Sequence, residues 1–446
     1  MKGKISKSII AEYNKTRSYF KRAKLCYAPF NSLRFSLSGN IYACCYNRFH
    51  SLGKYPEVSI REAWTGEKAN ELRQFISENN LSSGCHACYA KLISKNYFAT
   101  GARIYDAYKI KSQGPSLMEF EITSKCNLEC IMCNGENSSL IRKNRENGDP
   151  YPMVYDDNFV KQFTEFIPYL KEARFVGGEP FMEDIYYKMW EMISGNGKNT
   201  LISILTNGTI LNERIISFYK NNNVNISFSI DSVNKDTYQA IRINADYEKV
   251  SDNFKKILEI SKQYKRGINV NVCPLRINMW EIPEILNYYT NLDVPVVIHT
   301  VVYPPALAVG TLPEKDLNEY LNYLKKQKIT ENKRFSNHNS VTFVSYIKQV
   351  NEWAKMMKGF EEVEKNSSDN LLMKLSDRIM KYSGSNISEA DRCIGVINQV
   401  LMLIDDKETR SRALLSLMKI DPGYIISETE TSSVQMLKER LLNIAM

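Results

Sequence analysis

Between residues 117 and 327 the apolar positions recur with two periods that take turns along the chain. Six short runs, 117–122, 173–176, 201–205, 225–230, 268–273 and 296–302, read as strands. Between them the spacing becomes helical. In 157–170, Phe159, Val160, Phe163, Phe166, Ile167 and Leu170 share one face, and in 247–264 so do Val250, Phe254, Ile257 and Leu258. A last helix is expected near 314–326. Six strand–helix units in series predict a parallel α/β sheet with right-handed crossovers, curved into a partial (β/α)6 barrel.

Several of these strands alternate, although parallel strands covered on both faces usually read as unbroken apolar runs. Glu119, Glu121 and Thr123 share a face, as do Ser227, Ser229 and Asp231, and Asn269, Asn271 and Cys273. The apolar faces are expected under the helices and the polar faces toward the lumen. Complete eight-stranded barrels fill that space with branched apolar side chains. A polar lumen therefore points to an open barrel that holds a polar ligand.

The flanking regions have other textures. Residues 26–100 combine short strands, turns and paired cysteines: a hairpin over 33–44 turning at Ser38-Gly39-Asn40, then a helix over 59–75 with Ser59 as N-cap and Glu62 three residues later. Residues 331–446 follow a mostly helical pattern, with a polar loop expected at 365–370. The expected organisation is a basic segment at 1–25, a small α+β domain at 26–100, the barrel at 110–330 and a helical C-terminal region.

Composition adds limits. The 446 residues are 43% hydrophobic and 24% charged, ordinary values for a globular chain. No run approaches the roughly 18 apolar residues of a membrane span. Residues 1–24 are basic around a short Ile9-Ile10-Ala11 patch, too short for a secretory core, so a cytoplasmic location is expected. The formal charge of +9 is read as spread along the chain outside a lysine-rich first 25 residues, and as steering an acidic electron donor or peptide in preference to nucleic acid.

The ten cysteines change the picture most. They bunch at 26, 44/45, 85/88 and 126/130/133, with two more at 273 and 393. In a reducing compartment such bunching indicates metal ligation or redox chemistry. Cys126-Asn-Leu-Glu-Cys130-Ile-Met-Cys133 follows the first barrel strand, at the carboxyl end where parallel sheets bind ligands. A 4Fe–4S cluster normally takes four cysteines, so three leave one iron open to an outside ligand. Zinc lacking a fourth ligand and inert core cysteines are the other readings.

Cys-x3-Cys-x2-Cys in this place resembles the radical S-adenosylmethionine (radical SAM) superfamily, over about residues 117–327. Gly177-Gly178-Glu179-Pro180 after strand two looks like that family's GGE motif, which contacts the methionine amino group. Thr206-Asn207-Gly208 ends strand three. Ser229 and Asp231 at the end of strand four, with Arg242 beyond, resemble the family's ribose- and carboxylate-binding region. Asn278 stands where many relatives carry an asparagine, and Met132 where a backbone group meets adenine. The resemblance implies a 4Fe–4S cluster on Cys126, Cys130 and Cys133, S-adenosylmethionine bound to it, and a 5′-deoxyadenosyl radical taking hydrogen from a substrate.

Cys26, the Gly39-x4-Cys44 segment and Cys85-x2-Cys88 resemble the SPASM and twitch auxiliary-cluster domains, placed here before the barrel instead of after it. This implies a second, fully ligated 4Fe–4S cluster, with Cys45 as the alternative to Cys44. Zinc remains the competing reading at this site. Cys273 and Cys393 are candidate hydrogen donors against a plain reading as buried small residues, and Arg174 and Arg276 read as surface cations. The subgroup implies a peptide or protein substrate that is crosslinked, epimerised or oxidised, with a flavodoxin- or ferredoxin-type electron donor. The alternatives are a small molecule such as a sugar, and a non-catalytic zinc or iron–sulfur protein that binds nucleic acid.

Overall fold

The computed structural model describes every residue except 1, 2, 112, 197, 198, 303, 359–367, 384–386, 419, 421 and 446. It forms two compact units, residues 1–229 with 242–269 and residues 230–241 with 270–446.

The first unit is built on one sheet. Its strands are β1 (Ser32–Ser36), β2 (Asn40–Tyr42), β3 (Gly53–Lys54), β4 (Leu117–Glu121), β5 (Glu172–Phe175), β6 (Leu201–Thr206) and β7 (Val224–Ser229), in the order β3-β2-β1-β4-β5-β6-β7. The expected hairpin is present, with Gly39 at φ 88° and Arg34 opposite Tyr42. One pairing was not foreseen. β1 runs parallel to β4 over its whole length, from Ser32 opposite Leu117 to Ser36 opposite Glu121. The cysteine-rich segment thus extends the barrel sheet.

Alternation then sorts two rows of side chains across five strands. Phe35, Phe120, Phe175, Ile204 and Ile226 are in register and buried. Phe35 stacks on Phe120 at 5.2 Å and Phe120 on Phe175 at 5.1 Å, with Phe159 and Phe163 of helix Asp157–Thr164 edge-on above them. The next row is Arg34, Glu119, Arg174, Ser203 and Asn225. Arg34 pairs with Glu119 at 3.3 Å and also with Glu121; Arg174 pairs with Glu172 at 2.6 Å and Glu119 at 3.9 Å. Asn225 continues the row by bonding Asn269 at 2.9 Å. Arg174 is therefore locked into the polar face and is not an ordinary surface cation.

Helix ends follow local chemistry. Asp156, Asn212 and Asp246 accept N-terminal backbone N–H groups of the helices that follow them. The predicted helix 59–75 starts with the Ser59–Glu62 capping box but divides at Gly66 into Ile60–Thr65 and Glu67–Ser77. Helix 157–170 gives way to a 3-10 turn, Ile167–Tyr169, because Pro168 has no N–H to continue it.

The second unit holds the end of β8 (Gly267–Val272), which pairs parallel with β9 (Val296–Ile298), Val270 opposite Val296. Helices Ile282–Asn291 and Glu314–Lys325 follow these strands, so all six predicted strand–helix units of the α/β fold are present. Beyond them the chain is helical. Asn339 of helix Ser336–Met357 is wholly buried and binds the Val296 N–H (2.8 Å), Val294 O (3.1 Å) and Thr290 Oγ1 (2.8 Å). Of the polar loop expected at 365–370, residues 365–367 lie outside the described residues, and Ser368 opens helix Ser368–Ser383. Among the described residues no helix is long and apolar enough to cross a membrane.

Candidate cluster and cofactor sites

Cys126, Cys130 and Cys133 stand on a loop that closes on itself. Ser139 N–H donates to Ser124 O (2.6 Å), Ser138 Oγ to Leu128 O (2.6 Å) and Cys133 N–H to Cys130 O (3.0 Å). Glu129 N–H donates to Ile243 O (3.1 Å), holding the loop against the segment that starts at Arg242. Arg242, 7% exposed, places Nη1 at 3.8 Å from Cys130 Sγ. Asn207 Nδ2, at the end of β6, lies 3.9 Å from Cys126 Sγ and 2.9 Å from Asn127 Oδ1.

The glycine pair is a steric requirement. Gly177 and Gly178 have φ of 82° and 55°, and a Cβ on Gly178 would lie 2.5 Å from Lys125 O. The turn can then press against the strand leading to Cys126, and Glu179 N–H bonds Lys125 O at 2.8 Å. The Glu179 carboxylate, fully buried, accepts from Thr206 Oγ1 (2.8 Å), Phe181 N–H (3.1 Å) and Asn207 N–H (2.7 Å). Burial outweighs these bonds and the nearby Arg242, pushing its pKa up to about 7. A carboxylate with a lone pair to spare and a raised pKa suits an incoming ammonium. Met132 and Ser229 are half-buried and Pro180 is buried.

In the second unit, Asp231 and Asn278 are wholly buried and meet Cys273. Asp231 Oδ1 accepts the Cys273 N–H at 2.8 Å. Asn278 Nδ2 donates to Asp231 O (2.7 Å) and Cys273 O (3.1 Å), and its Oδ1 accepts the Leu275 N–H (2.7 Å), so this side chain shapes the turn after β8. Cys393 is buried inside helix Ile387–Met402. Arg276, read as a surface cation, is latched instead to Ala308 O at 3.2 Å and Thr311 Oγ1 at 2.9 Å.

Cys26, Cys44, Cys85 and Cys88, distant in sequence, line one cavity. Cys45 is absent from its lining and points to Tyr105 Oη, 3.9 Å away. Each lining sulfur has an N–H donor: Ala28 N for Cys26 (3.4 Å), Tyr46 and Asn47 backbone for Cys44, Asn47 Nδ2 for Cys85 (3.3 Å), and Gly101 and Ala102 backbone for Cys88. Asn47 Oδ1 takes the N–H groups of Phe49 (3.3 Å) and His50 (3.0 Å), which turns the amide nitrogen toward the sulfur. Sequence reasoning missed Asn47, Asn127 and Ser139, because no local motif announces a long-range contact.

The donor sets fit iron–sulfur clusters. Burial pushes the thiols of Cys126 and Cys88 up to about 11 and Cys44 up to about 12, so they lose protons only to a bound cation. Among the described residues no three His, Cys, Asp or Glu side chains converge on a point that would hold one ion. A tetrahedral zinc draws its sulfurs to about 2.3 Å from one centre. Four thiols lining one cavity match the four-cysteine ligation of a 4Fe–4S cluster.

A parallel α/β sheet with three cysteines beyond its first barrel strand, a buried GGE carboxylate beside them and a four-thiol cavity define a two-site iron–sulfur protein. Residues 120–289 match the radical SAM superfamily and residues 26–89 match an iron–sulfur cluster-binding domain, SPASM. The chain thus carries a radical SAM domain and, ahead of it, a SPASM-type iron–sulfur cluster-binding domain. Iron–sulfur clusters and S-adenosylmethionine are the cofactors of these two domains.

The chain is 26% identical over 190 residues to the probable GTP 3′,8-cyclase of Methanocaldococcus jannaschii, covering 42% of this chain and 59% of that one. It therefore spans little more than half the length of this curated relative. The solved structure of native anSMEcpe with bound AdoMet is similar at 20% identity and a TM-score of 0.36, over 47% of this chain and 59% of that one. Streptococcus suis SuiB bound to S-adenosylmethionine is similar at 12% identity and a TM-score of 0.37, over 57% and 56%.

Proposed function

We propose that this protein cleaves S-adenosylmethionine reductively and uses the resulting radical on a peptide or protein substrate. The observation that carries the reading is the convergence of Glu179, Asn207 and Arg242 on the three-cysteine loop. When bound and reduced, the cluster on Cys126, Cys130 and Cys133 supplies the electron that breaks the cofactor's carbon–sulfur bond. Glu179 holds the cofactor's ammonium. Arg242 places a positive charge beside the thiolates, and Asn207 fixes the loop against β6. Met132, Gly177, Gly178, Pro180 and Ser229 shape the remainder of the site within the first unit, and the family resemblance adds Asp231 and Asn278 of the second unit as cofactor contacts.

Cys26, Cys44, Cys85 and Cys88 hold the second cluster, and Cys45 is not a ligand. Cys273, half-buried, is the better candidate hydrogen donor than the wholly buried Cys393.

The peptide substrate is supported by the SPASM resemblance. The cyclase likeness favours a second reading, a nucleotide such as GTP, yet its 190 residues are too few to span both matched domains, which run from 26 to 289. The test is anaerobic reconstitution followed by incubation with dithionite, S-adenosylmethionine and either a candidate acidic peptide or GTP. We expect 5′-deoxyadenosine and a mass change in the peptide. No 5′-deoxyadenosine from iron-loaded protein would overturn the activity; a cyclised nucleotide would overturn the substrate.

A further inference from the structure

The first 25 residues hold eight lysines and arginines against a single acid, Glu12. Seven of the chain's nine excess positive charges therefore lie there, a sharper bias than a diffuse reading of the charge suggests. Glu12 is engaged by Tyr97 (2.8 Å) and Lys95 (3.2 Å), and the neighbouring Asp106 by Arg17 (2.5 Å). Lys4, Lys7, Lys15 and Arg22 are exposed.

Apolar surface is exposed among these charges. Tyr19 is 76% and Phe20 85% exposed, in edge-to-face contact at 5.9 Å. Phe98, 59% exposed, lies under Arg103, which bonds Thr16 O at 2.8 Å and so joins the same surface. Exposed aromatic rings ringed by cations are the composition of a protein-binding face.

What lies beneath this face selects the partner. Tyr13, on the basic helix Lys7–Lys15, belongs to the buried cluster that packs Cys26, Cys85 and Cys88. Lys21 Nζ stands 5.0 Å from the centre of the Tyr27 ring, and Tyr27 shares a buried cluster with Cys26 and Cys44. One aromatic layer separates the basic surface from the auxiliary thiols.

We propose that this face docks an acidic electron-transfer protein and that electrons enter through the auxiliary site. One electron leaves the donor's reduced flavin or iron–sulfur group and arrives at the cluster held by Cys26, Cys44, Cys85 and Cys88; no bond forms or breaks. The inference rests on the two-cluster reading above. A phosphate-binding role would not require the cations to cover a redox site.

The test uses the full-length, cluster-loaded protein and a reduced flavodoxin as probe, with stopped-flow detection of cluster reduction. Two variants are compared with the wild type: Lys15→Glu with Arg22→Glu, and Tyr19→Ser with Phe20→Ser. Wild-type reduction is expected to slow as ionic strength rises from about 0.05 to 0.5 M. Each variant should be reduced about tenfold more slowly at low salt, while its iron content and its reduction by dithionite match the wild type. Equal rates with flavodoxin, or equal losses with dithionite, overturn the docking face. So does salt-sensitive RNA binding that disappears in the charge variant while flavodoxin reduction is untouched. Failure of the two-cluster reading is distinct: the wild type itself would then load about four irons or fewer.

Discussion

Glu179 illustrates how one side chain serves both structure and chemistry. Its three hydrogen bonds tie the glycine turn to the end of β6, yet burial still holds its pKa near 7, above the ordinary carboxylate value of 4.5. The folded protein therefore binds this proton more tightly than the unfolded chain. By linkage, the stability contributed by the neutral form is fully present below pH 4.5 and is lost as pH rises to about 7. An ammonium reverses the balance, because it binds the anion. S-adenosylmethionine should bind more tightly as pH rises from about 6 to 8, approaching tenfold per unit below the pKa. Glu179→Gln should flatten that profile; equilibrium dialysis with a pH-independent wild type would exclude this role. The adjacent Cys44 and Cys45 give a second contrast. Cys44→Ala should remove about four irons per chain and Cys45→Ala none, and equal losses by iron analysis would refute the assignment. The Cys-x3-Cys-x2-Cys and Gly-Gly-Glu motifs were legible because their spacing is local. The choice between Cys44 and Cys45 was not, since adjacent residues differ only in the direction the folded chain gives them.

At the scale of elements, period located every barrel strand, though the last ends at Ile298 instead of 302, and parity told which face is polar for three of the six. They did not tell which strands are neighbours. Parity assigns Phe35 to an apolar face but does not announce Phe120 beside it, because β1 and β4 meet across a separation of more than 80 residues. Gly66 and Pro168, which divide two predicted helices, were visible in the sequence, and the apolar spacing that runs through them concealed the breaks. The Phe35–Phe120–Phe175 row has an energetic consequence. Phe120 is wholly buried and touches rings on both sides and above. Phe120→Ala should cost about 3–5 kcal/mol. Because the row joins the cysteine-rich hairpin to the barrel strands, the loss should fall on both sites together. In calorimetry and absorbance melts, one earlier transition that bleaches both clusters is expected. An auxiliary site that outlasts the other would show that the shared sheet does not couple them.

The C-terminal helices pose the question of what the whole molecule needs. Helix Ser336–Met357 cannot be spared, since Asn339 satisfies backbone groups at β9 and before it. The helices from Ser368 onward pack on one another around Leu371, Leu375, Ile379, Ile397 and Leu414. None of the ligand or cofactor-site residues discussed above lies among them; Cys393, in their core, is the one candidate that does. A chain ending after Lys358 should therefore keep about eight irons, as two four-iron clusters require. It should also release 5′-deoxyadenosine from S-adenosylmethionine at a rate within about twofold of the full chain, well under the roughly 1.4 kcal/mol that a tenfold change represents. Substrate modification should be lost, because helices that hold no proposed cluster ligand or cofactor contact are free to serve substrate recognition. Iron analysis and product mass spectrometry on the two proteins separate the outcomes. If the truncated chain loses iron, the helices support the cluster sites; if it modifies substrate normally, recognition resides in the barrel and the SPASM domain.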